Sequence, residues 1–208
     1  MNRDWIAPPR TALLIIDLQR DFAAPDGAMA GLGANLAAMP ATLAAASRLT
    51  EAARGAGVPV IFVGLESNPL TDSPAWRQWR ARSAGAKAVE ISLCRRGGRG
   101  AEFVGPRPRP GETVIGKARY SAFFSTNLNA TLRARGVDTL VVCGATTECC
   151  VDSSVRDAFH LDYHVFIAAD ACAAYEKSLH LATLRILALN FAILSNTAEI
   201  AGAWRAAD

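Results

Sequence analysis

Three polar side chains of this sequence follow predicted strands and together have the chemistry of a nucleophilic site. Asp17 and Lys117 each come directly after a short apolar run, and Cys150 comes soon after the β-branched run Thr139–Cys143. A carboxylate can accept the proton of a thiol, and a nearby ammonium group stabilises both anions. If the three strands are neighbours in one sheet, the pattern predicts an acid, a base and a cysteine nucleophile in one crevice.

The cysteine stands in the motif Gly144-Ala145-Thr146-Thr147-Glu148-Cys149-Cys150-Val151, where a buried strand should turn into a helix. The first turn of a helix has free N–H groups and the positive end of the helix dipole. Both favour a thiolate, so we expect a lowered pKa for the sulfur. Each residue alone also has an ordinary structural role, because buried cysteines pack as small hydrophobic groups and aspartates cap turns.

The elements that would position these residues alternate along the chain. Strand-like runs occur at Ala12–Ile16, Val58–Val63, Thr113–Ile115, Leu140–Cys143, Val165–Ala168 and Ala192–Leu194. Helical patterns occur at Asn35–Ala56, Leu128–Arg135, Glu148–Leu161 and Ser178–Leu189. This alternation predicts one α/β domain over residues 1–208, with a doubly wound, mostly parallel sheet covered by helices on both faces. Ligands of such sheets bind beyond the carboxyl ends of the strands.

The interval from residue 64 to residue 111 departs from this alternation. It is rich in proline, glycine and arginine, and it has only a short helical stretch at Pro74–Ser83. A loop of this length in a compact domain is usually functional. Trp76 and Trp79 of this interval fit a lid over the site or a subunit contact, and packing into the core is the alternative.

Composition narrows the class of protein. The chain has 51% hydrophobic residues and a net charge of +3, and no Lys/Arg block alternates with aromatic residues, so we expect no nucleic-acid partner. No apolar run approaches the roughly 20 residues needed to cross a bilayer, so we expect no membrane partner. The first ten residues do not resemble a signal peptide, and three of the five cysteines crowd into residues 143–150. These features favour reduced thiols and a cytoplasmic protein.

Three blocks of the sequence together resemble the isochorismatase-like cysteine hydrolases. They are Asp17-Leu18-Gln19-Arg20-Asp21-Phe22, Lys117-Ala118-Arg119-Tyr120-Ser121-Ala122-Phe123-Phe124, and the Gly144–Val151 motif with Arg156-Asp157-Ala158. The blocks have the order and spacing of the family, and the resemblance covers nearly the whole chain. It implies an isochorismatase-like fold with Rossmann-like winding.

The resemblance also implies which residues act. Asp17, Lys117 and Cys150 would form the catalytic triad, the Ala145–Thr146 peptide would be cis, and the backbone N–H groups of Thr146 and Cys150 would form an oxyanion hole. The implied reaction is hydrolysis of a C–N bond of a small linear amide, ureide or N-carbamoyl compound. It would proceed through a thioester intermediate and release ammonia or an amine.

Departures from related enzymes narrow this expectation. Nicotinamidases of the superfamily bind a metal through histidines after the second strand, whereas Gly64–Pro69 of this chain has none. We therefore expect no metal and no cofactor. True isochorismatases lack the nucleophilic cysteine, so Cys150 argues against vinyl-ether hydrolysis. The Lys117 block looks most like ureidoacrylate-type enzymes, while Thr146-Thr147-Glu148 looks closer to carbamoylsarcosine and biuret amidohydrolases, and the substrate stays open between them.

For substrate contacts we expect Phe22, Trp76, Arg80 and Tyr120, because an aromatic wall with a positive group suits a small planar ureide. Two other classes of function are alternatives. One is a non-catalytic relative of the same fold that binds a metabolite or a protein, which the intact triad disfavours. The other is a redox protein, which the absence of a Cys-x-x-Cys motif disfavours. The resemblance and the alanine-rich helices also predict a homodimer or homotetramer.

Overall fold

The structure, a computed structural model that describes residues 2–84 and 93–205, is built on one parallel sheet. Its strands are β1 (Thr11–Ile16), β2 (Val60–Leu65), β3 (Thr113–Lys117), β4 (Thr139–Ala145), β5 (His164–Ala173) and β6 (Ile193–Ser195). Their order is β3-β2-β1-β4-β5-β6, and every neighbouring pair is parallel. Every residue of β1 and β4 is buried, as their continuous apolar sequences require of strands covered on both faces. The predicted doubly wound α/β fold is confirmed.

The strand order reverses between β1 and β4. From β1 the chain winds outward through β2 to β3, and from β4 it winds the other way through β5 to β6. Because such crossovers are right-handed, the helices after β1 and after β4 cover opposite faces of the sheet. The reversal opens a crevice at the carboxyl ends of β1 and β4, which is where this class of sheet binds ligands.

The helices fill the two faces. They are α1 (Arg20–Ala23), α2 (Ala28–Gly31), α3 (Met39–Gly55), α4 (Pro74–Ala84), α5 (Leu128–Ala134), α6 (Asp152–His160), α7 (Lys177–Asn190) and α8 (Thr197–Arg205). Helix α3 buries a stripe of small and aliphatic residues that includes Ala46, Leu49 and Ala53, and it packs against β5 and α8. It ends before Gly57, whose φ of 71° is the left-handed conformation that stops helices. None of the helices in the described ranges is long and apolar enough to cross a bilayer.

The structure differs from the predicted elements in three places. The chain after β4 first forms a wide, π-type turn at Thr147–Val151, where a regular helix was expected. Strand β5 extends to Ala173 beyond the predicted end at Ala168, with an irregular register opposite β4. The short helices α1 and α2 and the terminal helix α8 were not predicted, because their sequences are too short or too alanine-rich to show a clear apolar period. The predicted helix of the 64–111 interval is present as α4.

Candidate active site

The side chains of Asp17, Lys117 and Cys150 meet beyond the carboxyl ends of the strands. Lys117 Nζ lies 2.7 Å from Asp17 Oδ2 and 3.3 Å from Cys150 Sγ. All three residues are buried, and the side chains of the Asp17–Lys117 ion pair have no exposed surface at all. The lysine therefore sits between a carboxylate and a sulfur in a site shielded from bulk water.

Asp17 is held where β1 ends. Its φ of 50° turns the chain sharply after the strand, a conformation that aspartate tolerates better than most residues. Its Oδ1 accepts a hydrogen bond of 2.8 Å from the Leu65 N–H at the end of β2. Its Oδ2 faces Lys117 and accepts no further hydrogen bond within the described part of the chain. One oxygen thus anchors the carboxylate, and the other is left for the reaction.

Lys117 reaches the site from the edge of the sheet. It is the last residue of β3, which is separated from β1 by β2, so its long side chain has to cross the end of β2. Nζ also donates to the Arg119 carbonyl oxygen at 3.0 Å, which satisfies a further N–H of the buried ammonium group. Burial opposes the charge, but the neighbouring Asp17 outweighs it and raises the pKa of Lys117 above its ordinary value. The lysine is therefore a cation at neutral pH.

Cys150 lies inside the π-type turn, and its pKa moves opposite to the expectation from a helix start. A hydrogen bond with the Cys149 side chain, burial and the charge of Asp17 raise the pKa of Cys150 well above its ordinary value, and Lys117 only partly offsets them. The expectation of a lowered pKa for this sulfur is therefore wrong. Dipole and N–H groups act on an exposed first turn, whereas this sulfur is buried beside a carboxylate. The surroundings therefore favour the thiol form of Cys150 beside the ammonium group of Lys117.

The turn before Cys150 depends on Gly144 at the end of β4. The φ of Gly144 is 138°, and a Cβ there would lie 2.0 Å from the carbonyl oxygen of Ile16. Only glycine lets the ends of β1 and β4 approach this closely, and this approach places Asp17 near the cysteine turn. The following peptide, Ala145–Thr146, is cis, as the resemblance implied.

The site opens into a cavity of about 450 Å³. Its lining includes Lys117, Thr146 and Cys150, together with Glu148 and Tyr175. Much of the remaining lining comes from the 64–111 interval and includes Leu65, Ser67, Thr71, Asp72, Trp76, Arg77, Trp79, Leu93 and Arg95. The long interval therefore forms part of the cavity that holds the triad.

Of the four predicted substrate contacts, Phe22, Trp76 and Tyr120 line this cavity. The rings of Trp76 and Tyr120 meet edge to face with centroids 5.3 Å apart. The ring of Trp79 stacks on Trp76, with centroids 5.6 Å apart. Arg80 lies in α4, but its side chain is outside what the structure describes. The aromatic wall expected from the sequence is thus present for the three residues that can be assessed.

Sequence reasoning gave no role to Gln19, which positions the site. Its Oε1 accepts from the Leu65 N–H at 2.8 Å, and its Nε2 donates to the carbonyl oxygens of Leu65 and Ala101 at 3.0 and 2.9 Å. The side chain is buried and connects two segments through hydrogen bonds. One is the end of β2, where the Leu65 N–H also binds Asp17, and the other is the segment at Ala101. In the sequence, the only sign of this role was a glutamine two residues after Asp17.

No cluster of three or more His, Cys, Asp or Glu side chains suited to a metal ion occurs within residues 2–84 and 93–205. Asp17 is instead paired with Lys117 and with the backbone N–H of Leu65. The chemistry available in this cavity is that of the thiol, the carboxylate, the ammonium group and the backbone donors around them.

Comparison with known proteins identifies the family. The isochorismatase domain profile matches residues 11–199. The chain is 35% identical over 206 residues to the ureidoacrylate amidohydrolase RutB of Methylobacterium radiotolerans, covering 94% of this chain and 80% of that protein. The crystal structure of a cysteine hydrolase from Pseudomonas syringae pv. phaseolicola superposes with a TM-score of 0.86 at 27% identity, covering 98% of this chain and 96% of that one. N-carbamoylsarcosine amidase from Thermoplasma acidophilum superposes with a TM-score of 0.72 at 27% identity, covering 90% and 96%. The chain belongs to the isochorismatase family.

Proposed function

We propose that the protein is a cysteine-dependent amidohydrolase that cleaves a C–N bond of a small linear amide, ureide or N-carbamoyl compound. The observation that carries this proposal is the position of Lys117 Nζ, 2.7 Å from Asp17 Oδ2 and 3.3 Å from Cys150 Sγ, where Lys117 and Cys150 line the cavity. The similarity to a ureidoacrylate amidohydrolase and to an N-carbamoylsarcosine amidase supports a carbamoyl substrate. The names of the two relatives give different substrates, ureidoacrylate and N-carbamoylsarcosine, and both of these compounds contain a carbamoyl group.

The first step is transfer of the thiol proton from Cys150 to Asp17. The raised pKa of Cys150 keeps the sulfur protonated until a substrate arrives. Moving the proton converts the carboxylate to a carboxylic acid and the thiol to a thiolate, so the total charge of the triad does not change. A buried site favours such an internal transfer, because no net charge has to be created away from water. Lys117 stabilises whichever partner is the anion.

The thiolate then attacks the substrate carbonyl carbon. The backbone N–H groups of Thr146 and Cys150 are proposed to hold the oxyanion. In the π-type turn, the Thr146 carbonyl oxygen accepts hydrogen bonds from the N–H groups of Cys149 and Val151, at 3.1 and 3.2 Å. It accepts none from the N–H group of Cys150 among the described residues. Asp17 returns the proton to the leaving nitrogen, ammonia or an amine departs, and the acyl group remains on sulfur as a thioester. Water, deprotonated by Asp17, hydrolyses the thioester and regenerates the thiol.

A panel of ureido acids and carboxamides, assayed for ammonia, tests this function. The wild type should turn over at least one ureido compound, and Cys150→Ala should lose nearly all activity while keeping the same unfolding midpoint. Cys149→Ala is the matched control, since it removes the adjacent thiol and should retain substantial activity. Equal ammonia release by the wild type and Cys150→Ala would show that this sulfur is not the nucleophile. Metabolite binding without any hydrolysis would favour the non-catalytic alternative.

We also propose that the protein acts in the cytoplasm as a homodimer or homotetramer, with no metal or cofactor and with the 64–111 interval as a lid or a subunit contact. All five cysteines are free thiols, which fits a reducing compartment. Helix α7 exposes several large apolar side chains, among them Leu181 and Leu189, which fits self-association. Light scattering on the purified protein measures the oligomeric state, and a monomer at micromolar concentration would contradict that part of the proposal.

A further inference from the structure

Glu148 lines the cavity of Lys117 and Cys150, and its carboxylate has a buried oxygen without a donor in the described residues. It is two residues before Cys150, and both residues line the same cavity. Its Oε2 is buried and has no hydrogen-bond partner within residues 2–84 and 93–205. Glu148 also has no ion-pair partner in that part of the chain. A buried acceptor without a donor is rare in native proteins, and in a binding cavity it indicates a donor on the ligand.

The ionisable neighbours of Glu148, His180 and Tyr175, do not supply a hydrogen-bond donor to its buried oxygen. Burial lowers the pKa of His180, and Glu148 only partly offsets that effect, so the imidazole is neutral at pH 7. Its Nδ1 lies 2.8 Å from Thr147 Oγ1. Burial, with Glu148 next in effect, raises the pKa of Tyr175, and the phenol already donates to the carbonyl oxygen of Phe22 at 3.0 Å. Neither side chain therefore donates a hydrogen bond to the buried oxygen of Glu148.

Two cationic side chains also line the cavity, Arg119 after β3 and Arg77 in α4. Within residues 2–84 and 93–205, Arg119 donates to the neutral oxygens of Thr71, Ala118 and Ser73 and forms no ion pair. Its guanidinium lies over the ring of Trp76, 5.2 Å from the centroid. Exposed Arg77 also lines the cavity and forms no ion pair within the described ranges. The lining of one cavity therefore offers an acceptor at Glu148 and cations at Arg77 and Arg119, which suits a ligand with an N–H group and an anionic tail.

We propose that Glu148 is a specificity-determining residue that accepts a hydrogen bond from the ureido N–H retained on the acyl side of the reacting carbonyl. This inference rests on the proposed function and names the substrate class, which is ureido acids of the form R–NH–CO–NH₂ with an anionic R. A carboxamide with CH₂ in place of that NH presents the same carbonyl and leaving group but leaves the buried oxygen of Glu148 unfilled. The site disfavours such a compound because the desolvated carboxylate then has no partner.

Binding to Cys150→Ala tests the inference without turnover. The matched ligands are 3-ureidopropanoate and 4-carbamoylbutanoate, which differ only by NH in place of CH₂, and calorimetry gives the Kd of each. A hydrogen bond to a charged acceptor predicts tighter binding of the ureido acid by about 10- to 100-fold. Adding Glu148→Gln, or Glu148→Ala if the first variant does not fold, should reduce the preference to a few-fold.

Asp152→Asn is the control, because it removes a carboxylate two residues after Cys150 that is paired with Arg156 at 2.9 Å. It should leave the preference unchanged. Equal binding of the two ligands, no binding of either, or a preference that survives loss of Glu148 would overturn the inference. Failure of the proposed function has a different signature, since the wild type would then bind the ureido acid with the same preference and release no ammonia.

Discussion

The buried ion pair of Asp17 and Lys117 predicts that two single variants lose more stability than the double variant. Both side chains are fully buried, with Oδ2 and Nζ 2.7 Å apart. Asp17→Asn keeps the shape of the side chain and an oxygen for the Leu65 N–H, while Lys117→Met keeps most of the aliphatic stem. Each single variant leaves one buried charge without its partner, whereas the double variant leaves none.

The magnitude follows from the burial of the pair. Removing one partner of a buried ion pair typically costs about 3–5 kcal/mol, and replacing both partners with neutral groups of similar volume is often close to neutral. We therefore expect each single variant to lose about 3–5 kcal/mol in the free energy of unfolding and the double variant to lose about 1 kcal/mol. In Asp17→Asn, burial lowers the pKa of Lys117 below its unfolded value. In that variant the unfolded state binds the lysine proton more tightly than the folded state. A rise in pH removes this advantage of the unfolded state, so the free energy of unfolding should increase with pH.

Urea unfolding of the four proteins measures these free energies, and ammonia release measures activity. All three variants should lose activity by about 10²- to 10⁴-fold, because each lacks the proton acceptor or its charge partner. If the double variant recovers stability but not activity, the ion pair is needed for catalysis and contributes little to the free energy of unfolding. Additive losses in the double variant, or a loss below about 1 kcal/mol in either single variant, would refute the description of an uncompensated buried charge.

Three further predictions follow from the geometry. Gly144→Ala should cost more than about 3 kcal/mol or prevent folding, because the new Cβ would lie 2.0 Å from a carbonyl oxygen. Gly202→Ala, with no atom within 4 Å of its Cβ, is the control and should change the midpoint little in urea unfolding. The raised pKa of Cys150 predicts no thiolate absorbance at 240 nm at pH 7 in the difference between wild type and Cys150→Ala, and a signal at pH 7 would contradict it. Gln19→Leu should lower the free energy of unfolding by about 2–4 kcal/mol, because two backbone carbonyls lose a buried donor; a loss below about 0.5 kcal/mol would argue against its bridging role.

The sequence predicted the fold and the proximity of the triad because both depend on local patterns. Continuous apolar runs identify buried parallel strands, and the first polar residue after such a run lies at the ligand-binding edge of the sheet. Asp17 satisfies this rule directly, and Cys150 lies in the turn that follows β4, the neighbour of β1. The strand order itself was not predictable. Lys117 comes from a strand two positions away from β1 and reaches the site only because its side chain is long enough to cross β2.

The electrostatics of the site could not be predicted from local features. The dipole and free N–H groups of a helix start would lower the pKa of Cys150, but the hydrogen bond with Cys149, burial and Asp17 act more strongly on this sulfur and raise it. The hydrogen bonds of Gln19 and the unpaired oxygen of Glu148 depend on which loops the fold brings together. A glutamate in a first helical turn has a sufficient local explanation in the helix dipole, so its isolation is visible only in the folded chain.

The central claim is that Cys150 carries the acyl group during turnover. The most direct test is peptide mass spectrometry of enzyme quenched in acid while it hydrolyses a ureido acid. The claim predicts a mass increase equal to the acyl group on Cys150, present in Cys149→Ala and absent in Cys150→Ala. An adduct on Cys149, or undiminished turnover by Cys150→Ala, would contradict it.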